Sequence, residues 1–170
     1  MSIVLQTDRL ILRRLTIDDA EFIFALLNDP AWLRYIGDKN IKSIEDAASY
    51  IAKGPMVSYD RFGFGLYLVE RKSDAAAIGI CGLIQRDTLP DVDIGLAFLP
   101  DYRRQGYAFE SSVAVLEHGR RDFGLKRIVA LTAPDNDDSI RVLKKLGFQF
   151  EAFIAMSADG LPTRLFAREL

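Results

Sequence analysis

The stretch Leu99-Pro100-Asp101-Tyr102-Arg103-Arg104-Gln105-Gly106-Tyr107-Ala108 separates a strand-like apolar run at residues 92–98 from a helix-like run at 107–123. A helix start leaves several backbone N–H groups without partners and carries the positive end of the helix dipole. Together these make an anion site. Gly106 lets the backbone approach a phosphate closely, and Ala108 adds little bulk in the first turn. Arg103 and Arg104 supply forked donors that suit phosphate oxygens. One reading is a pyrophosphate cradle. The other is a solvated surface loop with a glycine turn. The loop alone leaves both open.

Working outward, the chain of 170 residues suits one domain, 1–170, with a substantial core. Its net charge of −2 gives no bulk attraction to nucleic acid. A single cysteine, Cys81, excludes an internal disulfide framework and fits a reducing compartment. Residues 1–14 alternate apolar and polar types, unlike a signal peptide. No apolar run reaches the roughly 18 residues that span a bilayer, so the expected location is the cytoplasm, with no membrane partner.

Residues 9–15 read as a strand. Thr16 reads as a helix N-cap, followed by the apolar stripe Phe22, Ile23, Leu26 and Leu27. Asn28-Asp29-Pro30 ends that helix, and a short helical turn through Trp32, Leu33, Tyr35 and Ile36 ends at Gly37. Ser43, with Asp46 at the reciprocal position, caps a helix that stops at Gly54-Pro55. Residues 64–71, 77–86 and 92–98 then form an antiparallel meander, because their connections are short. Gly95 inside the third of these strands marks a bulge or a close backbone approach. Helix 107–123, with a core stripe of Phe109, Val113, Leu116 and Phe123, leads to a buried strand at 127–131 and implies a parallel crossover. A helix at 136–146 and strands at 148–156 and 163–168, joined by Asp159-Gly160, complete the chain. The order β-α-α-α-β-β-β-α-β-α-β-β predicts an α/β (α+β mixed) fold with helices on both faces of a mixed sheet.

If the strands at 92–98 and 127–131 are neighbours and diverge, a slot opens between them. An extended ligand there would bond to the free edge of Leu96, Ala97, Phe98 and Leu99. Its phosphates would reach Arg104, Gln105, Gly106, Tyr107 and Ala108. An amide-bearing arm ending in a pyrophosphate describes coenzyme A. On one reading Asn136 and Ser139 stand at the slot mouth and touch the coenzyme arm or the leaving thiolate; on the other they are a helix cap and its third residue. Asp93 is a candidate base, directly or through a water, or else a solvated edge charge. Glu151 is a second carboxylate candidate. His118 reads as exposed or partly packed and not catalytic, and Cys81 as core. No set of side chains has metal-ligand spacing, so no metal is expected.

With these pieces in order, the chain resembles the GNAT superfamily of acyl-CoA-dependent N-acetyltransferases. The superfamily motif Arg/Gln-x-x-Gly-x-Gly/Ala stands here as Arg103-Arg104-Gln105-Gly106-Tyr107-Ala108. More narrowly it is similar to the RimJ/RimL-like branch of ribosomal-protein N-terminal acetyltransferases. The matching pieces are Thr7-Asp8-Arg9-Leu10-Ile11-Leu12-Arg13, Asp93-Ile94-Gly95 with Leu99-Pro100, and Asn136-x-x-Ser139 followed by Leu143-Lys144-Lys145-Leu146-Gly147-Phe148. The resemblance implies a sheet splayed by a bulge in its fourth strand, acetyl-CoA as co-substrate and direct acetyl transfer to an amine. Backbone N–H groups near Leu96 and Ala97 would polarise the thioester carbonyl. The tyrosine that many members use to protonate the thiolate is replaced by Leu143, and the carry-over lands on Ser139. The branch often has glutamate where Asp93 stands.

Acceptor choice is assigned to residues 29–44, with Trp32, Arg34 and Tyr35 as lining or core, and to the turn after Met156. Asp87, Asp91, Asp93, Asp135, Asp137 and Asp138 would form an acidic rim that attracts a cationic amine. The acceptor is a protein N-terminal α-amine or a small-molecule amine, and the assembly a monomer or homodimer. The competing readings are a CoA-binding protein without transferase activity and a nucleotide-phosphate binder. The second lacks both the Gly-x-x-x-x-Gly-Lys-Ser/Thr loop and the Gly-x-Gly-x-x-Gly fingerprint.

Overall fold

The computed structural model describes residues 2–156 and 162–170. The expected Asp159-Gly160 turn lies outside the described residues. In chain order the elements are β1 (Ile3–Gln6), β2 (Leu10–Arg14), α1 (Ala20–Leu27), α2 (Pro30–Tyr35), α3 (Ile44–Lys53), α4 (Pro55–Phe62), β3 (Leu66–Arg71) and β4 (Ala76–Ile84). They continue with β5 (Asp93–Phe98), α5 (Tyr107–Phe123), β6 (Arg127–Thr132), α6 (Asp137–Lys145), β7 (Gln149–Ile154) and β8 (Thr163–Glu169). Two of these were missed in the sequence. β1 is a separate short strand paired to β2. The proline of Gly54-Pro55 ends α3 but also starts α4, where a first-turn proline costs nothing because its N–H would be unpaired anyway.

The strands form one sheet in the order β1-β2-β3-β4-β5-β6-β8-β7. All neighbours are antiparallel except β5 and β6, as the strand-helix-strand pattern requires. That parallel pair is joined at a single register position, Asp93 opposite Val129. There the Val129 N–H donates to the Val92 carbonyl at 3.0 Å. Beyond it the two strands part, so the sheet is splayed as expected. The splayed strand is the fifth, because β1 adds one. Its ladder to β4 runs in unbroken register from Gly79 opposite Phe98 to Ile84 opposite Asp93. The expected bulge is therefore absent from that ladder, and the opening arises where β6 leaves β5. Gly95 serves close packing instead: a Cβ there would lie 2.8 Å from Ile84 Cδ1.

Alternation along the strands divides the core between the two faces. Leu68 and Ile80 pack with α1, α2 and α3 through Ile23, Leu26, Trp32, Ala47 and Ile51. Val69, Cys81, Leu83, Ile128 and Phe166 pack on the other face with α4, α5 and α6. Cys81 is core as expected, and burial pushes its thiol up to about 11. The buried stripe of α5 differs from the expected one. It comprises Ser111, Ser112, Val115, Leu116, His118 and Gly119, while Val113 is exposed. Small residues let this helix sit close to the sheet, and a Cβ on Gly119 would stand 3.2 Å from Ile128 Cδ1. His118 is buried, not exposed. Its ring nitrogens lie 3.1 Å from the Tyr67 hydroxyl and 2.7 Å from Asp122 Oδ2. No described helix is long and apolar enough to cross a membrane.

The tightest backbone approach in the sheet falls at Gly82, where a Cβ would lie 2.0 Å from the Gly65 carbonyl oxygen. Backbone cannot yield as a side-chain tip can. Gly82→Ala is expected to destabilise the protein by about 2–3 kcal/mol, lowering the thermal midpoint by about 4–12 °C in a melt followed by circular dichroism.

Candidate active site

The backbone of β5 alternates between its two neighbours. The Leu99 N–H donates to the Ile78 carbonyl at 3.0 Å, and Val92 offers its carbonyl to β6. Odd-numbered residues of β5 therefore turn their backbone groups to β4, and even-numbered ones turn theirs to the opening. Leu96 and Phe98 present N–H groups to the slot, as the sequence reading required. Ala97 and Leu99 do not: their N–H groups belong to the β4 ladder. The expectation that an Ala97 N–H faces the slot is therefore not met, and of the expected pair only the Leu96 N–H is turned to the opening.

At the open end of the slot the chain makes a short 3-10 turn, Pro100–Tyr102, and then curls. Arg104 and Gly106 both adopt left-handed conformations, φ 59° and 84°. Such turns build concavities of N–H groups that receive anions. Gly106 is the N-cap of α5, and no side chain among the described residues caps the helix. Its first-turn amides are thus left for a ligand. Around this cradle the side chains divide. Arg104 is exposed and lies 3.5 Å from Asp138 in α6. Gln105 folds back, donating to the Asp101 carbonyl at 2.8 Å. Tyr107 is buried and Ala108 partly so, leaving their backbone as the contribution to an anion. The Arg103 fork is not free for phosphate. Its Nε donates to the Phe98 carbonyl at 3.0 Å and its Nη2 to Asp29 at 2.6 Å.

The first turn of α6 faces the cradle across the opening, as the Arg104–Asp138 pair shows. Asn136 caps this helix by accepting from the Ser139 N–H at 3.3 Å, so the capping reading of Asn136 holds. That bond leaves its amide NH2 as a donor. The Ser139 side chain is half-buried, and its hydroxyl has no hydrogen-bond partner among the described residues.

Asp93 stands at the vertex of the opening, on the sheet face covered by α1–α3, which it shares with Ala97 and Leu99. It is not a solvated edge charge, being 1% exposed. Arg86 Nε donates to it at 2.7 Å. Burial pushes its carboxyl above the usual range, against the pull of the Arg86 guanidinium. A carboxyl held there has raised basicity and a fixed orientation.

The expected acidic rim is largely neutralised. Asp93 pairs with Arg86, Asp91 with Arg127, Asp135 with Arg34, and Asp138 with both Arg104 and Arg141. Asp87 and Asp137 have no ion-pair partner among the described residues, so the negative field left around the slot is small. Glu151 lies on β7, beyond β8 from the opening, where it pairs with Arg127 at the start of β6, and it is not a site carboxylate. Trp32 is core at 6% exposure, and Arg34 is exposed and reaches Asp135 at 3.1 Å. No cluster of side chains fit for a metal occurs among the described residues.

Residues to which the sequence reading gave no part in the site brace the cradle. The Arg9 backbone N–H and Nε both donate to Glu110, at 3.0 and 2.7 Å, and Thr7 Oγ1 donates to it at 2.6 Å. Arg9 Nη1 also donates to the Gln105 carbonyl at 3.0 Å. The turn before β2 thus grips the first turn of α5, which gives the Thr7-Asp8-Arg9 signature a mechanical role. The only local signal was a glutamate at the start of a helix whose N-cap has no side chain. Burial works against the Glu110 carboxylate, but the bonds from Thr7 and Arg9 outweigh it and hold its pKa below the ordinary glutamate value. A depressed carboxylate stabilises above its unfolded pKa and loses that contribution as pH falls through the folded value. Glu110→Gln is expected to be less stable than wild type at pH 7 by about 1 kcal/mol. In urea titrations at a series of pH values, that difference should shrink as pH falls below about 4.5.

The chain matches the acetyltransferase (GNAT) domain family over residues 9–149. It is 36% identical over 163 residues to a Bacillus subtilis protein named uncharacterized N-acetyltransferase YoaA, covering 94% of this chain and 91% of that one. A GNAT-family acetyltransferase structure from Bordetella pertussis superposes with a TM-score of 0.80 at 25% identity, over 97% of this chain and 98% of that one. RimL, a ribosomal L7/L12 α-N-protein acetyltransferase solved with coenzyme A, shares the fold at 19% identity, with a TM-score of 0.83 and coverage of 99% and 98%. The overall fold is thus shared with these structures, and this chain belongs to the GNAT acetyltransferase family.

Proposed function

We propose that residues 1–170 form a single acetyltransferase domain that moves an acetyl group from acetyl-CoA to a primary amine, in the manner of the RimJ/RimL-like branch. The observation that carries this is the opening between β5 and β6, with the Leu96 N–H on its wall and the free first-turn amides of α5 at its end. The extended amide-bearing arm lies along β5, the phosphates meet Gly106 and its neighbours, and the thioester carbonyl accepts from the Leu96 N–H.

The chemistry is direct. The neutral amine nitrogen attacks the thioester carbon, the C–S bond breaks, and the electron pair leaves on sulfur. The amine gives up its proton to Asp93, through a water. Ser139 supplies a proton to the thiolate and recovers one from solvent. An α-amine, with an ordinary pKa near 8, needs little help from a base, whereas a lysine near 10.4 needs far more. This favours an α-amine of a peptide or an amine of similarly low pKa. A second reading, binding without transfer, is supported by Leu143, which lies 97% buried where many superfamily members place a tyrosine acid.

Thiol release from acetyl-CoA against N-terminal peptides, lysine peptides, polyamines and aminoglycosides separates these readings. Release with one acceptor class is expected. CoA binding without release for any amine would leave only the binding reading, and no CoA binding would overturn both. Gly106→Glu strains a left-handed position, brings its Cβ to 3.1 Å from Arg9 Nη2 and sets a carboxylate at the phosphate site. It is expected to weaken CoA binding tenfold or more in calorimetry, a loss of at least about 1.4 kcal/mol. Ser139→Ala is expected to lower kcat by about 10²-fold with CoA affinity little changed, as loss of a general acid does.

A further inference from the structure

α2 is tied to both walls of the opening. At its N-terminus Asp29 pairs with Arg103, in the loop that leaves β5. In its last turn Arg34 pairs with Asp135, in the connection that leaves β6. The two ties are unequal. Arg34 and Asp135 are 66% and 63% exposed, so their pair contributes little. The Asp29 side chain is 6% exposed, and its carboxylate also accepts from the Ala31 N–H at 3.1 Å and the Trp32 N–H at 3.4 Å. Arg103 in turn holds the Phe98 carbonyl, one of the β5 backbone groups that face the slot. One guanidinium therefore joins the slot wall, the cradle loop and the start of α2.

We propose that Arg103 and Asp29 are positioning residues that hold α2 across the mouth of the β5–β6 opening. The loop that receives the phosphates then also sets the helix beside the reacting amine. The proposal rests on the transferase reading of the slot. It reassigns the Arg103 side chain, which the motif alone would make a phosphate ligand. Filling the cradle stills the loop, and the Arg103–Asp29 pair passes that restraint to α2. Acetyl-CoA thus orders α2 before the amine arrives. Without the pair, the cofactor still binds but α2 is no longer fixed against it.

The test is amide hydrogen exchange in α2, with and without coenzyme A, alongside calorimetric CoA affinity. The variants are Asp29→Asn and Arg103→Gln. Asparagine caps a helix as well as aspartate does, and Arg103, 36% exposed, is left where water can solvate its charge, so Asp29→Asn tests the pair with little harm to the fold. In wild type, coenzyme A is expected to slow exchange at residues 31–36 at least fivefold. In Asp29→Asn that slowing should fall below twofold while the CoA Kd stays within threefold. Arg103→Gln should behave alike, and with a turned-over acceptor both should raise its KM more than they lower kcat. Unchanged α2 exchange in wild type, or full protection in Asp29→Asn, would overturn the proposal. So would a tenfold loss of CoA affinity in Arg103→Gln alone, which would make Arg103 a phosphate ligand. Absence of CoA binding by the wild type would defeat the transferase reading itself, and the positioning role with it.

Discussion

Everything in this fold that bears on chemistry depends on β5 and β6 meeting once and then separating. A single register position, Asp93 opposite Val129, pins two parallel strands that otherwise share no ladder. Had they stayed paired, the Leu96 and Phe98 backbone groups would be spent on β6, and no extended ligand could use them. Because each strand has a full ladder on its other side, to β4 and to β8, both keep their shape while the gap between them stays open. The sheet is one layer with a built-in defect, and the helices on both faces hold the defect in place.

The charged side chains show how the defect is managed. Arg86 holds Asp93 at the closed end, Arg103 holds Asp29 at the open end, and Arg9 with Glu110 braces the helix that ends the slot. Pairs with a buried carboxylate are poor sources of stability, because desolvation offsets their attraction. They are effective at fixing geometry, since a buried carboxylate without its partner is costly. Ion pairs of this kind around a cleft suit positioning better than attraction. The paired aspartates around the mouth agree with this, because they leave little net field to draw in a cationic amine.

Much of this was legible in the sequence where the signal is local. The glycines at 106 and 124 bound α5, and both are left-handed in the structure, where only glycine sits without strain. Asn136 and Gly147 frame α6, the first by a side-chain cap and the second by a left-handed turn. What could not be read depends on partners far along the chain. The orientation of the Ala97 N–H follows from which strand lies on each side of β5. The commitment of Arg103 follows from Asp29, 74 positions earlier. The burial of His118 follows from small residues on the same helix that let it approach the sheet. α4 was missed for another reason: Pro55 is a stop for one helix and a start for the next, and a breaker signal does not distinguish the two.

The most direct measurement is the amide resonance of Leu96, compared with its neighbour Ala97, as coenzyme A is titrated into the isotope-labelled protein. If the arm of the cofactor lies along the open edge of β5, the Leu96 amide shifts strongly and its hydrogen exchange slows, while Ala97, already bonded to β4, changes little. Equal response of both amides, or a response at Gly106 with none at Leu96, would contradict the account. It would mean that the phosphates find the helix while the slot beside β5 is not where the thioester lies.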